Sequence, residues 1–255
     1  MVRRVALVLV ACLAFAAALP AQTVDEVIAK NIQARGSLEK LKAVKTMRIT
    51  GKTTIGPGME APLVIESKRP DKVRLDIVVQ GMTLTQAYDG KQGWIINPFG
   101  GGKNAEPMSP EDLRDAEEQA DMDGPLVDWK AKGHKVELVG KEKVEGTDAY
   151  KIKVSLKDGN TRYFYLDTDS YLDIKTEGKR TVRGTERESE QTIGDYKDIR
   201  GLMIPHSLEG GVKGQPQKQK ITIEKVELDV PIDDSRFAMP AKKDEPAEKK
   251  PAEKK

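Results

Sequence analysis

The sequence predicts a mainly β protein (α+β) built on one large, strongly curved antiparallel sheet of about a dozen strands. Apolar and alternating runs recur from residue 46 to residue 228, and turns such as Asp89-Gly90 separate them at hairpin spacing. Helix signals occur in only two regions, near the N-terminus and in the middle. So few helices cannot cover the apolar face of such a sheet, which predicts a concave, partly open cavity.

The N-terminal residues predict export. Arg3 and Arg4 precede an unbroken apolar run, and a small-residue cleavage site ends at Ala21. Residues 1–21 are therefore predicted to be a cleaved signal peptide. The alternative is a lipoprotein box ending at Cys12, which would make the protein a membrane-anchored lipoprotein. If cleavage follows Ala21, the mature chain has no cysteine, so disulfides and thiolate chemistry are not expected.

Residues 22–241 are predicted to form the folded domain. A capping box at Thr23 and Glu26 starts a helix that Gly36 ends, and Ser37 starts another short turn of helix. Ser109-Pro110 starts a middle helix to about Asp121, and Gly124-Pro125 starts a second short one through Trp129. The predicted strands are Thr46–Thr54, Ala61–Lys68, Lys72–Gln80, Thr83–Tyr88, Gly93–Asn97, Lys135–Lys143, Ala149–Leu156, Thr161–Leu166, Tyr171–Glu177, Glu186–Tyr196, Leu202–Leu208 and Gln219–Leu228.

The C-terminal tail and the charge pattern exclude some partners. Residues 242–255 contain Lys, Glu, Pro, Ala and one Asp, so they cannot bury apolar surface and are predicted to be disordered. The chain carries 43 basic and 41 acidic residues of interspersed sign. Because no basic stripe alternates with aromatic residues, nucleic acid is not an expected partner.

Catalytic and metal-binding patterns are not found in the sequence. The two histidines, His134 and His206, do not have metal-ligand spacing and are interpreted as surface side chains. No G-x-S-x-G segment supports a hydrolase. We therefore expect that the protein is not an enzyme and needs neither a cofactor nor a metal. We also expect it to be a monomer.

Several short motifs carry a family resemblance. They are Lys68-Arg69-Pro70, Asp89-Gly90-Lys91, Trp94 with Asn97-Pro98-Phe99, and a terminal strand ending in Arg236–Pro240. On these motifs and the order of its elements, the chain resembles the periplasmic lipoprotein-carrier family, the LolA/LolB-like outer-membrane lipoprotein-sorting proteins. The resemblance implies an unclosed antiparallel β-barrel, a half-barrel of about 11–12 strands, with an N-terminal helix and a helical lid.

The resemblance also implies a function. It implies a periplasmic, non-enzymatic carrier that holds the acyl chains of a lipoprotein or lipid in a hydrophobic cavity and takes them to the outer membrane. Its partners would include an inner-membrane release complex, an outer-membrane acceptor and, transiently, a membrane surface. The alternative is an envelope sensor or scaffold of the same fold that binds another envelope protein. Val73 stands where the best-known carriers have an aromatic residue, which predicts an aliphatic cavity and a different cargo.

Specific residues are predicted for the site. The resemblance gives Arg69 the role of a latch that holds the lid closed; the alternative is a strand-end arginine in solvent. Strand alternation and the lid position give the candidate cavity residues, each of which could instead be ordinary core. These candidates are Met47, Ile49, Leu63, Ile65, Val73, Leu75, Ile77, Trp94 and Ile96 on strands and Leu126 and Trp129 on the lid.

Overall fold

The computed structural model of the protein describes residues 22–102, 104–182 and 185–241. The predicted signal peptide, Cys12 and the predicted tail lie outside the described residues. The helices are α1 (Val24–Ala34), α2 (Leu38–Ala43) and α3 (Pro110–Ala120), with short 3₁₀ turns at Pro98–Gly100 and Asp234–Arg236. None of these helices combines the length and the hydrophobicity that a membrane span needs.

All 13 described strands belong to one antiparallel sheet. In chain order, β1 to β13 are Thr46–Gly56, Met59–Lys68, Lys72–Val79, Met82–Tyr88, Gly93–Ile96, Glu106–Pro107, Lys135–Val144, Thr147–Ser155, Thr161–Asp167, Asp173–Val182, Thr185–Ile199, Leu202–Val212 and Gln219–Leu228. The predicted mainly β fold with an unclosed half-barrel is confirmed, because the sheet is not closed and has β6 and β7 at its edges.

The sheet consists of two meanders that meet in its middle. Its order is β6-β5-β4-β3-β2-β1-β13-β12-β11-β10-β9-β8-β7, so strands from the two ends of the chain are neighbours. We call the β1–β13 pairing the seam. Met47 lies opposite Leu228 there, and a bulge follows Thr50. At Gly51 the strands approach so closely that an added Cβ would lie 2.1 Å from the carbonyl oxygen of Thr222.

The helices cover the two ends of the concave face. Helix α1 begins with the predicted capping box, and its Val27 and Ile28 pack against Ile152 and Leu166 of β8 and β9. Helix α3 packs Ala116 and Ala120 against β3 and β4. Between these two clusters lie the central strands β1 and β10–β13, which neither helix covers. The uncovered middle of the sheet is where a cavity remains.

Three elements differ from their prediction. The expected short helix at 124–129 is a series of turns, because Asp128 has a positive φ of 53° that interrupts helical hydrogen bonding. The expected terminal strand at Arg236–Pro240 is a 3₁₀ turn followed by irregular chain. The two-residue strand β6 was not predicted, because such a short segment has no periodicity to detect.

A candidate lipid site: the central cavity and its lid

An apolar cavity of about 410 Å³ lies on the concave face between the two helix-covered regions. Strands β1, β12 and β13 supply most of its floor, and residues 122–126 cover it. Its lining is mainly aliphatic, and Phe164 and Tyr196 are the aromatic side chains in it. The apolar and aromatic lining residues are Leu41, Val44, Met47, Ile49, Ile65, Met122, Pro125, Leu126, Phe164, Ile193, Tyr196, Leu202, Met203, Ile204, Pro205, Leu208, Ile221, Ile223 and Leu228.

Arg69 fixes the chain segment that covers this cavity. It follows β2, and its guanidinium donates to both carboxylate oxygens of Asp123, at 2.9 and 2.5 Å. It also donates to the backbone oxygens of Leu41 and Val44, at 3.0 and 2.8 Å. Those two carbonyls belong to the C-terminal turn of α2, which has no intrahelical donors for them. Arg69 therefore joins the sheet, α2 and the segment after α3 at one point.

The pKa values of this pair reflect the contact. Burial alone would raise the pKa of Asp123, but the hydrogen bonds and charge of Arg69 outweigh burial and lower it. The hydrogen bonds to Asp123 raise the pKa of Arg69. Both groups are therefore charged at neutral pH, and the side chains are 20% and 11% exposed. Removing one partner of a pair this sheltered would leave the other charge buried and unpaired, which costs more than breaking a surface salt bridge.

A second ion pair holds α3 itself. The Nε–H of Arg162, on β9, donates to one carboxylate oxygen of Glu118 at 2.8 Å. A terminal guanidinium nitrogen of Arg162 donates to the other carboxylate oxygen at 2.6 Å. We define the lid as residues 108–134, which cross the concave face from the β6 edge to the β7 edge. Arg69 and Arg162 thus bind the lid from opposite halves of the sheet. Arg162 was not predicted as a site residue, because a lone arginine on an alternating strand carries no local signal.

A second, more polar hollow adjoins the apolar cavity. It shares Pro125, Phe164, Thr176 and Ile221 with the cavity and is lined further on by glycines and by polar residues of α3. The Arg162–Glu118 pair lies in its wall. The concave face therefore changes from an aliphatic lining in the central cavity to a polar lining in the adjoining hollow.

Comparison with solved structures identifies the fold. A LolA superfamily protein from Nitrosomonas europaea superposes with a TM-score of 0.58 at 13% identity, covering 86% of this chain and 98% of that one. The chain has a LolA-like fold. A DUF1329 family protein from Desulfovibrio piger gives a TM-score of 0.61, also at 13% identity and with the same coverage. No protein-family model and no curated protein matches the sequence.

The LolA-like fold places the predicted cavity residues in several environments. Met47, Ile49, Ile65 and Leu126 line the central cavity, as does Arg69. The other candidates do not line it. Val73 and Leu75 lie under α3, Leu63 and Ile77 lie on the concave face beyond the cavity, and Trp129 packs with the α1 cluster.

The placement of Trp94 and Ile96 in the cavity was wrong. Trp94 pairs with Ala87 of β4. Ala87 pairs in turn with Arg74 of β3, and Arg74 pairs with Glu66 of β2, so the side chains of this row lie on the convex face. Ile96 lies on the same face and packs against the Trp94 cluster. The three residues of β5 that follow Gly93 are all large and apolar, so alternation could not choose between the faces.

Trp94 instead anchors the C-terminal segment. It is 1% exposed, and its ring N–H donates to the backbone oxygen of Phe237 at 2.7 Å. Around it, Arg236 donates to Glu66 at 2.8 Å and to Asp76 at 3.1 Å. The closing segment that carried part of the resemblance is thus a clamp across the convex face.

The structure corrects the interpretation of one of the two histidines. His206 is buried, not a surface side chain as predicted, and its Nδ1 lies 2.9 Å from the backbone oxygen of Ile204. In the described part of the chain, no group of three or more His, Cys, Asp or Glu residues is arranged to hold a metal ion.

Proposed function

We propose that this protein is an exported, non-enzymatic carrier that binds an acyl chain of a lipid or lipoprotein in the central cavity and carries it through the periplasm to the outer membrane. The observation that carries the proposal is the aliphatic cavity of about 410 Å³ between α1 and α3. A folded core would fill this space, since interiors are close-packed. The LolA superfamily neighbour and the predicted export signal support the same conclusion.

The size and lining of the cavity indicate its guest. Small-molecule sites usually occupy about 300–1,000 Å³ and are mostly apolar. The cavity holds the volume of roughly a dozen water molecules at ~30 Å³ each, and a methylene group fills similar space. With the lid closed, the cavity therefore accommodates one acyl chain. A larger cargo requires the lid to move.

Filling the cavity tests the proposal. Leu208 and Ile193 face each other across β11 and β12 in the lining, so Leu208→Trp should occupy the space of the guest. We expect native mass spectrometry to detect lipid on the wild type and a loss of at least about tenfold in fluorescent fatty-acid uptake in the variant. Val139→Trp, on an exposed site, is the matched control. Lipid-free protein that takes up no fatty acid, yet retains a stoichiometric protein partner, would instead favour a scaffold.

Two hairpin tips support transient contact with a membrane surface. Ile55 and Met59 flank the β1–β2 turn, and Val78 and Met82 flank the β3–β4 turn; all four are exposed. Because β1 and β3 run in the same direction, both tips are at one end of the half-barrel. We expect the double variant Met59→Ser, Met82→Ser to sediment less with anionic vesicles than the wild type does. Equal sedimentation of the wild type and the double variant would contradict this membrane contact.

A further inference from the structure

One corner of the otherwise apolar cavity is polar. Arg35, at the C-terminal end of α1, and Asp173, at the start of β10, both line the cavity, and so does Tyr196. The Tyr196 hydroxyl donates to the backbone oxygen of Asp173 at 2.9 Å. Burial raises the pKa of Asp173. We call Arg35, Asp173 and Tyr196 the polar corner.

The hydrogen-bonding capacity of the polar corner is largely unused. A guanidinium has five N–H donors, and Arg35 directs one terminal nitrogen at the backbone oxygen of Asp123, 3.2 Å away. Among the described residues, Asn31 is the side-chain donor to the Asp173 carboxylate, over a long 3.4 Å. No ion pair joins Arg35 to Asp173 within the described part of the chain. Arg35 and Asp173 therefore attract each other through their charges, yet no hydrogen bond joins them among the described residues, and both face the same cavity.

Asn31, next to the polar corner, also lacks a hydrogen-bond partner for one of its side-chain atoms within the described part of the chain. Asn31 is fully buried, and its side-chain nitrogen donates to the backbone oxygen of Tyr171 at 2.8 Å. Its side-chain oxygen is buried without a partner among the described residues. Unsatisfied buried polar groups cost free energy, so an acyl chain alone would leave this corner unfavourable. A guest with a polar end would supply partners to Arg35 and Asp173, which line the cavity, whereas Asn31 lies behind the lining.

From this arrangement we propose that the polar corner binds the head group of a neutral, hydroxylated single-chain lipid, such as a monoacylglycerol. The ester carbonyl accepts from Arg35, and a free hydroxyl donates to Asp173, while the chain lies among the aliphatic residues. A free fatty acid fits less well: its carboxylate can accept from Arg35, but it has no hydroxyl to donate to Asp173 and brings a second carboxylate into the corner. The inference rests on the proposed carrier function and names the head group that the carrier selects.

The test compares three ligands of equal chain length on the full mature protein: monodecanoylglycerol, decanoate and decene. We expect isothermal titration to give monodecanoylglycerol an affinity at least about tenfold higher than decene, corresponding to one charged hydrogen bond. Asp173→Asn and Arg35→Met should remove most of this preference, because they should weaken monodecanoylglycerol binding more than decene binding. Val139→Ser, at an exposed site outside the cavity, is the control and should keep the preference.

The outcomes separate the two proposals. If none of the three ligands binds, the carrier function and the head-group assignment both fail. If the three bind equally, or if Asp173→Asn weakens all of them by the same factor, only the head-group assignment fails. Thermal unfolding of each variant shows whether a loss of binding reflects a loss of fold. Asp173→Asn keeps the shape of the side chain, so it addresses the assignment even if Arg35→Met does not fold.

Discussion

At the level of single residues, Arg69 shows what a short motif can predict. The resemblance gave it a role in holding the lid, and the elementary donor count of a guanidinium made contact with helix-end carbonyls plausible. Arg69 does contact Asp123, Leu41 and Val44, and its role as a latch stays a prediction. Trp94 is the contrasting case: its strand was predicted correctly, but its face was not.

Arg69→Met should destabilise the protein and loosen the lid. It leaves the sheltered carboxylate of Asp123 and two helix-end carbonyls without their donor, which costs roughly 3 kcal/mol in the free energy of unfolding. Urea unfolding measures that loss, and hydrogen exchange should show faster exchange in residues 110–126. Arg48→Met is the control, because Glu66 keeps Arg236 as a partner. Equal exchange in the two variants would rule out a latch.

The pH dependence of the latch follows from the lowered pKa of Asp123. A carboxyl group whose folded pKa lies below its unfolded value, about 3.9, stabilises the fold above that value and loses its contribution as pH falls through the folded pKa. Lid protection in the wild type should therefore be constant from about pH 5 to 8 and fall only below about pH 4. Release of the lid near pH 6 would point to another group.

At the level of elements, the C-terminal segment is the clearest departure from the sequence interpretation. Arg236–Pro240 was predicted to end a strand, yet this segment crosses the convex face and covers Trp94. The error has a physical reason: the partners of Phe237 and Arg236 lie far along the chain, in β2, β3 and β5. Local propensity contains no information about such partners. Helix α3, whose cap, first-turn proline and acidic residues are all local, was predicted nearly to the residue.

Removal of the clamp's aromatic residue should therefore be costly. Phe237 is fully buried, so Phe237→Ala should lower the free energy of unfolding by roughly 3–5 kcal/mol through lost burial and a new cavity. Phe99→Ala is the matched control, since Phe99 is 48% exposed and its loss should change stability by less than about 1 kcal/mol. Both values come from urea unfolding. Similar losses for the two variants would mean that the C-terminal segment does not stabilise the sheet.

At the level of the whole molecule, turn residues predicted most strand boundaries, whereas the order of strands in the sheet was beyond local signals. Nothing in β1 or β13 alone indicates that they are neighbours. For the same reason the cavity candidates on strands all came from β1–β5, and the lining residues of β11–β13, including Ile193, Leu208 and Ile223, were missed. The polar corner was missed too, since Arg35 at a helix end resembles an ordinary cap residue.

A glycine at the seam tests this architecture. An added Cβ at Gly51 would lie 2.1 Å from the Thr222 oxygen, so Gly51→Ala must push β1 and β13 apart and should cost roughly 2–3 kcal/mol. Gly194→Ala is the control, because no heavy atom lies within 4 Å of its added Cβ. Thermal unfolding compares them. If the Gly51→Ala variant is as stable as the Gly194→Ala variant, β1 and β13 do not approach each other as closely at the seam as described.

The seam also determines when the protein becomes able to bind. Each meander is made of hairpins between neighbouring segments, which form quickly, whereas β1 and β13 come from opposite ends of the chain and pair only after a long loop closes. The cavity floor is built from strands on both sides of that pairing. We therefore expect ligand binding to appear in the last step of folding, so that a partly folded chain exposes apolar strands yet cannot hold a lipid.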